Sequence, residues 1–162
     1  MVGIGVKPNV ELAKGAGIAI DDGVLVDEFL ATSAPDVFAA GDIARWPDPY
    51  CGERIRVEHW VVAERQGQVA ALNMMGRKQK FLAVPFFWTK HFDLSIRYVG
   101  HADAQASRSI EGDLSKRDGL VRFSREGRLL AIATVERDLA ALEEELTWEI
   151  AGAPRMATIE AG

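Results

Sequence analysis

The sequence predicts two folded parts: an α/β part over residues 1–80, then an α+β part over residues 81–162 with an antiparallel sheet and a terminal helix. Three observations carry this. The run Val37-Phe38-Ala39-Ala40 is apolar throughout, as in a strand covered on both faces, and it ends in Gly41-Asp42. The segment from Val57 to Met75 holds the longest helical periodicity in the chain. Residues 120–124 and 128–135 flank the turn Arg125-Glu126-Gly127 as a hairpin, and a helical pattern over residues 138–150 follows. The polar, basic stretch Gly76-Arg77-Lys78-Gln79-Lys80 marks the boundary between the parts.

Taken in order, Val2-Gly3-Ile4-Gly5-Val6 reads as a strand end whose glycines allow close backbone approach. It is not a GxGxxG motif, because neither a third glycine nor a helix signal follows in place. Residues 10–15 form a helical turn ended by Gly17. Ile18-Ala19-Ile20 and Val24-Leu25-Val26 flank Asp21-Asp22-Gly23, which predicts a hairpin. Pro35 and Asp36 punctuate the turn before the apolar run. Asp42, at the carboxyl end of that predicted strand, lies where open α/β sheets bind ligands. It serves either as a cap for the next segment or as an acceptor for neighbouring hydroxyls on a sugar-like chain.

Residues 43–56 contain Pro47, Pro49 and Gly52 and read as a loop. Arg45, Arg54 and Arg56, with Trp46 and Tyr50, make this either a solvated surface or a docking patch for an acidic partner. In the long helix, Val61, Val62, Gln66, Val69, Ala70, Leu72 and Asn73 share a face, with Glu64, Arg65 and Gln68 elsewhere and Gly76 as the stop. The run Phe86-Phe87-Trp88-Thr89 predicts a strand whose aromatics either fill a core or line a cofactor. Residues 94–100 alternate as a half-buried strand, and residues 109–112 form another. The last helix puts Leu139, Leu142, Leu146 and Ile150 on one apolar side, with Glu143 to Glu145 facing solvent. Residues 151–162 read as a frayed end.

The totals exclude several function classes. A net charge of −5 argues against a nucleic-acid partner and gives no membrane signal. The single cysteine, Cys51, allows neither an internal disulfide nor a dithiol redox centre. Three scattered histidines give no metal-ligand spacing. No run of membrane-span length and no leader pattern occurs, so a reducing, cytoplasmic setting is expected.

Thr32-Ser33-Ala34-Pro35-Asp36-Val37-Phe38-Ala39-Ala40-Gly41-Asp42 resembles the second FAD-binding motif, T-x-x-P-x-(I/V)-(F/Y)-A-x-G-D, of the two-dinucleotide-binding-domain flavoprotein reductases. The type resembled is the FAD-dependent pyridine nucleotide-disulfide oxidoreductase of the ferredoxin reductase kind, which includes putidaredoxin reductase-like and apoptosis-inducing-factor-like proteins. Gly5-Val6-Lys7-Pro8-Asn9 is similar to the junction where such chains return to the FAD domain. Val57-Glu58-His59-Trp60, then Ala63 and Gly67, resembles the family's helix start E-x-W/H … A-x-x-Q-G. Phe87-Trp88-Thr89-Lys90-His91-Phe92-Asp93 resembles P-x-F-W-(S/T)-x-Q-(Y/F)-(D/G), with His91 standing where glutamine is common.

The resemblance implies the C-terminal remnant of an FAD fold followed by an α+β interface domain. It implies that Gly41 and Asp42 hold the ribityl chain of FAD, that Glu58, His59 and Trp60 line the flavin ring, and that Trp88 shields one face of it. It implies an enzyme that takes hydride from NAD(P)H and passes electrons through FAD to a ferredoxin or Rieske-type iron–sulfur partner. No glycine-rich phosphate fingerprint follows a strand here, so the chain is expected to be a fragment that does not oxidise NAD(P)H alone. The rival expectation is a non-catalytic interaction module, with a homodimer formed through exposed apolar surface.

Overall fold

The computed structural model describes residues 5–152. Residues 2–4 of the strand end expected over residues 2–6, and residues 153–162 of the frayed end expected over residues 151–162, therefore lie outside the described residues. Tertiary contacts divide the chain into two compact units. One comprises residues up to Asp48 together with Glu53–Phe81; the other comprises Pro49–Gly52 and residues from Leu82 onward.

In the first unit, helix α1 (Glu11–Gly15) is a single turn and buries no side chain. Strand β1 (Val24–Leu25) pairs in parallel with β2 (Ala44–Pro47), which pairs antiparallel with β3 (Arg54–Ile55). The expected hairpin around Asp21-Asp22-Gly23 reduces to one bridge, Ile20 to Val24, because β1 takes the parallel partner instead. Residues 44–47 and 54–55 are strands where a loop was expected. Ala44 and Trp46 point inward with a period of two, and Pro47 ends the strand, where its missing N–H costs least. Helix α2 (Trp60–Met74) buries Val62, Gln66, Val69 and Ala70, a spacing that keeps one face inward. Trp46 and Phe81 meet edge to face at 5.6 Å inside this core.

The motif run departs from its expected form. Phe38 makes a single bridge, to Ala31, and the Ala39 N–H reaches the Leu30 carbonyl at 3.1 Å; residues 37–40 join no ladder. Val37 is exposed, and Phe38, Ala39 and Ala40 are half-buried instead of covered on both faces. They border an apolar cavity of about 540 Å³ shared with Leu12, Ile18, Val24 and Ile43.

The second unit is a five-stranded antiparallel sheet in the order β4-β5-β8-β7-β6. Its strands are β4 (Phe86–His91), β5 (Leu94–Gly100), β6 (Ser107–Asp113), β7 (Asp118–Arg125) and β8 (Arg128–Val135). Helix α3 (Asp138–Ala151) packs on β5 and β8. The core gathers Tyr50, Val84, Val99, Leu120, Ile132, Ala141 and Trp148. Tyr50 stacks on Trp148 at 6.1 Å, and its hydroxyl donates to the Leu82 carbonyl at 2.5 Å. Gly100 sits under Trp148 at φ +87°; a Cβ there would meet the Leu130 carbonyl at 2.3 Å and the indole at 2.5 Å, so only glycine fits.

Helix α3 buries the side opposite to the one expected. Ala141, Glu145 and Trp148 face the sheet, while Leu139, Leu142, Leu146 and Ile150 are each more than half exposed. The Trp148 ring covering bare backbone at Gly100 sets this rotation; the four aliphatic residues then have no sheet to meet.

Candidate functional site

The resembled motif ends in the Gly41-Asp42 turn. Gly41 adopts φ +81°, in the left-handed region, which reverses the chain after the apolar run. Its N–H donates to Oε1 of Gln66 at 2.7 Å, and its carbonyl accepts from the Ala44 N–H at 2.9 Å. The Asp42 carbonyl accepts from Nη1 of Arg56 at 3.0 Å. The Asp42 side chain is exposed, and among the described residues no hydrogen bond or ion pair holds its carboxylate. It is thus a charged acceptor on a fixed backbone, open to an incoming hydroxyl.

The start of α2 lies at the same place. His59 is the N-cap in an extended conformation, and its Nδ1 accepts from the Val61 N–H at 3.3 Å. That bond needs a neutral ring with its proton on Nε2, which makes Nε2 a donor. Burial pushes the imidazole below its ordinary pKa, and the Asp42 charge pulls it partly back. Trp60 follows, largely exposed, with its ring 6.0 Å from that of His59. Glu58 is exposed, and its Oε1 accepts from Arg56 Nη1 at 2.7 Å, so Arg56 bridges Glu58 and the backbone of Asp42. Gly41, Asp42, Glu58, His59 and Trp60 therefore share one region of the first unit. Trp88 belongs to the second unit, on β4, with its ring 5.8 Å from that of Phe86 and 42% of its surface exposed.

Two side chains that sequence reasoning did not assign to the site hold it. Gln66 looked like one more residue of a helix face, and Arg56 like part of a basic patch. The signal for Gln66 was a fully polar side chain in the middle of an apolar stripe. The basic patch itself does not form. Arg45 pairs with Asp21, Arg54 donates to the Val26 carbonyl at 2.5 Å, and Trp46 and Tyr50 are fully buried. Among the described residues no group of His, Cys, Asp and Glu is placed to hold a metal ion, and no helix is long and apolar enough to cross a membrane.

The profile of the family described as pyridine nucleotide-disulphide oxidoreductase matches residues 1–67. The ferredoxin–NAD(+) reductase component of the anthranilate 1,2-dioxygenase system of Burkholderia cepacia is 36% identical over 144 residues, covering 87% of this chain and 36% of that protein. The chain belongs to the ferredoxin reductase type of the FAD-dependent pyridine nucleotide-disulfide oxidoreductases. Proteins of this ferredoxin reductase family use FAD and NAD(H). Human apoptosis-inducing factor 3 is 32% identical over 141 residues, which is 85% of this chain and 23% of that protein. The crystal structure of a covalent putidaredoxin reductase–putidaredoxin complex superposes with a TM-score of 0.82 at 30% identity, over 89% of this chain and 34% of that one. The chain thus spans about a third of the length of these relatives, 36% of the Burkholderia protein and 34% of the chain in the putidaredoxin reductase complex.

The residues fit the family's cofactor. An unpaired exposed carboxylate suits vicinal hydroxyls, and the turn beside it is a bare glycine backbone. A helix start carries partial positive charge, which suits an electron-rich ring edge.

Proposed function

We propose that this chain supplies the ribityl and ring-binding end of the FAD site in an NAD(P)H-dependent reductase. That enzyme passes electrons to a ferredoxin or Rieske-type iron–sulfur protein. The observation that carries the reading is the Gly41-Asp42 turn, hydrogen-bonded to α2 so that an open carboxylate and a helix start share one surface. FAD, when bound, accepts a hydride and releases its electrons one at a time. In this chain Asp42 accepts from the ribityl hydroxyls, Gly41 lets the cofactor approach the backbone, and Glu58, His59 and Trp60 line the ring. Arg56 neutralises Glu58 and so keeps Asp42 the one uncompensated carboxylate at this turn.

The same reading makes the chain one portion of a longer FAD fold. Residues 37–40 are an apolar strand sequence without a ladder, bordering an apolar cavity of about 540 Å³. Both features suit a further strand layer packed against them. With no phosphate-binding glycine fingerprint in the chain, it does not turn over NAD(P)H by itself.

The test is the visible spectrum of the purified chain after incubation with FAD and desalting. Retained flavin that Asp42→Ala releases supports the site. Flavin retained equally by Asp42→Ala refutes the role of Asp42, and flavin-dependent NADH oxidation by the chain alone refutes the fragment reading.

A second reading, a non-catalytic module that dimerises or binds a protein, is favoured by the exposed Leu139, Leu142, Leu146 and Ile150 on α3. It predicts assembly that is indifferent to Asp42→Ala.

A further inference from the structure

We propose that Gln66 is the positioning residue of the candidate flavin site: its side-chain oxygen fixes the Gly41-Asp42 turn to α2 and so sets where the Asp42 carboxylate stands. The inference rests on reading that turn as the ribityl site.

No described side chain holds the Asp42 carboxylate in place. It has no hydrogen bond or ion pair among the described residues, so its direction follows the backbone of the turn. That backbone is anchored at few points. The Gly41 carbonyl is closed locally by the Ala44 N–H, and the Asp42 carbonyl is held by the long Arg56 side chain. The bond from Gly41 N–H to Gln66 Oε1, at 2.7 Å across 25 residues of sequence, is the one that ties the turn to the body of α2. Gln66 is fully buried, so this bond is shielded from water.

Helix geometry explains the reach. Ala63 and Gln66 are three apart and lie on one face, with the cap residue His59 seven positions before Gln66 on the same side. A Cβ at Gly41 would stand 3.4 Å from Cβ of Ala63, ordinary van der Waals contact. The turn therefore lies beside Ala63, within reach of the Gln66 amide on the same helix face. The amide orientation is not free: a backbone N–H needs an acceptor, so the oxygen must face Gly41.

Packing alone does not call for glutamine here. Nε2 of Gln66 is buried and has no hydrogen-bond partner among the described residues. A methionine of similar length would fill the same space without an orphaned donor. The residue earns its place through the one bond that its oxygen makes.

The test compares Gln66→Met, which keeps length and loses the acceptor, with Gln66→Glu, which restores an oxygen. The first readout needs no flavin: hydrogen exchange at the Gly41 amide, followed by NMR. Gln66→Met is expected to speed exchange at Gly41 by about ten-fold and to weaken FAD binding by a similar factor, as for one lost hydrogen bond. Gln66→Glu is expected to recover most of the Gly41 protection. If Gln66→Met leaves Gly41 exchange unchanged, or Gln66→Glu protects no better than Gln66→Met, the proposal is wrong. Should Gln66→Met fail to fold, Gln66→Asn, one methylene too short to reach, is read in the same way. If Gly41 responds as expected while neither Gln66→Met nor Asp42→Ala alters FAD binding, the positioning bond stands and the ribityl reading fails.

Discussion

Acid should uncap α2 in a pH window that identifies the residue responsible. His59 caps the helix through Nδ1, which accepts only while the ring is neutral. Burial lowers the folded-state pKa of His59 below its ordinary value of 6.5. The unfolded chain therefore takes up a proton in a range where the native state does not. The stability from this group is complete above pH 6.5, falls as the pH drops through 6.5, and is lost once the folded pKa is passed. An N-cap is worth about 1 kcal/mol, which for a unit of this size is a shift in melting temperature of about 4–8 °C. The carboxylates of Asp93, Glu111, Asp118 and Asp138 lie below their ordinary values above all because each accepts from a guanidinium, that of Arg117, Arg122, Arg137 and Arg97 in turn. Their stabilisation is present at neutral pH and is lost only as the pH falls through their ordinary values of 3.8 to 4.5, below the range of the assay. The assay is urea unfolding at half-unit steps from pH 8 to pH 5. His59→Asn keeps a strong cap without a titration, and its midpoint should be flat over this range while that of the parent falls. Asp42→Asn should deepen the parent's fall, because it removes the charge that favours the imidazolium. Parallel curves for the parent and His59→Asn would refute the argument.

Two further outcomes follow from packing and charge. Gly100→Ala should destabilise the second unit by about 3–5 kcal/mol, since its Cβ would overlap the Leu130 carbonyl and the Trp148 ring at a positive φ; the loss is read from chemical denaturation of the chain. Leu142→Gln with Leu146→Gln should change stability by less than about 1 kcal/mol, because both side chains are exposed. If the chain forms dimers through α3, sedimentation of this double variant will show a monomer at unchanged fold.

What the sequence revealed was what short-range pattern controls. The hairpin of β7 and β8, the extent of α2 and the position of α3 are all periodicity signals bounded by turn residues, and they stand within a few residues of expectation. The failures share a physical cause, which is that burial depends on the partner and not on the pattern. Leu139, Leu142, Leu146 and Ile150 form the more conspicuous apolar stripe of α3, yet the helix turns Ala141, Glu145 and Trp148 inward because a glycine in β5 leaves room for an indole. Residues 37–40 have the composition of a central strand but, among the described residues, only a single bridge, Phe38 to Ala31, in place of a ladder. The arginines of residues 45–56 looked like a surface patch, but three guanidinium groups are taken up by Asp21, by the Val26 carbonyl, and by Glu58 with the backbone of Asp42.

The candidate site follows the same rule. The positions of Asp42 and His59 were legible, because the end of an apolar run and the start of a helix are local properties of the sequence. Gln66 was not, because its role lies in a bond to a residue 25 positions away. A polar residue fully buried in an apolar helix stripe, with one end bonded and the other orphaned, is the trace such a role leaves. The turn that presents Asp42 is thus specified twice, by the glycine that permits its backbone angle and by the glutamine that holds it against α2. Neither residue contributes the carboxylate, yet both decide whether that carboxylate and the helix start can face one ligand.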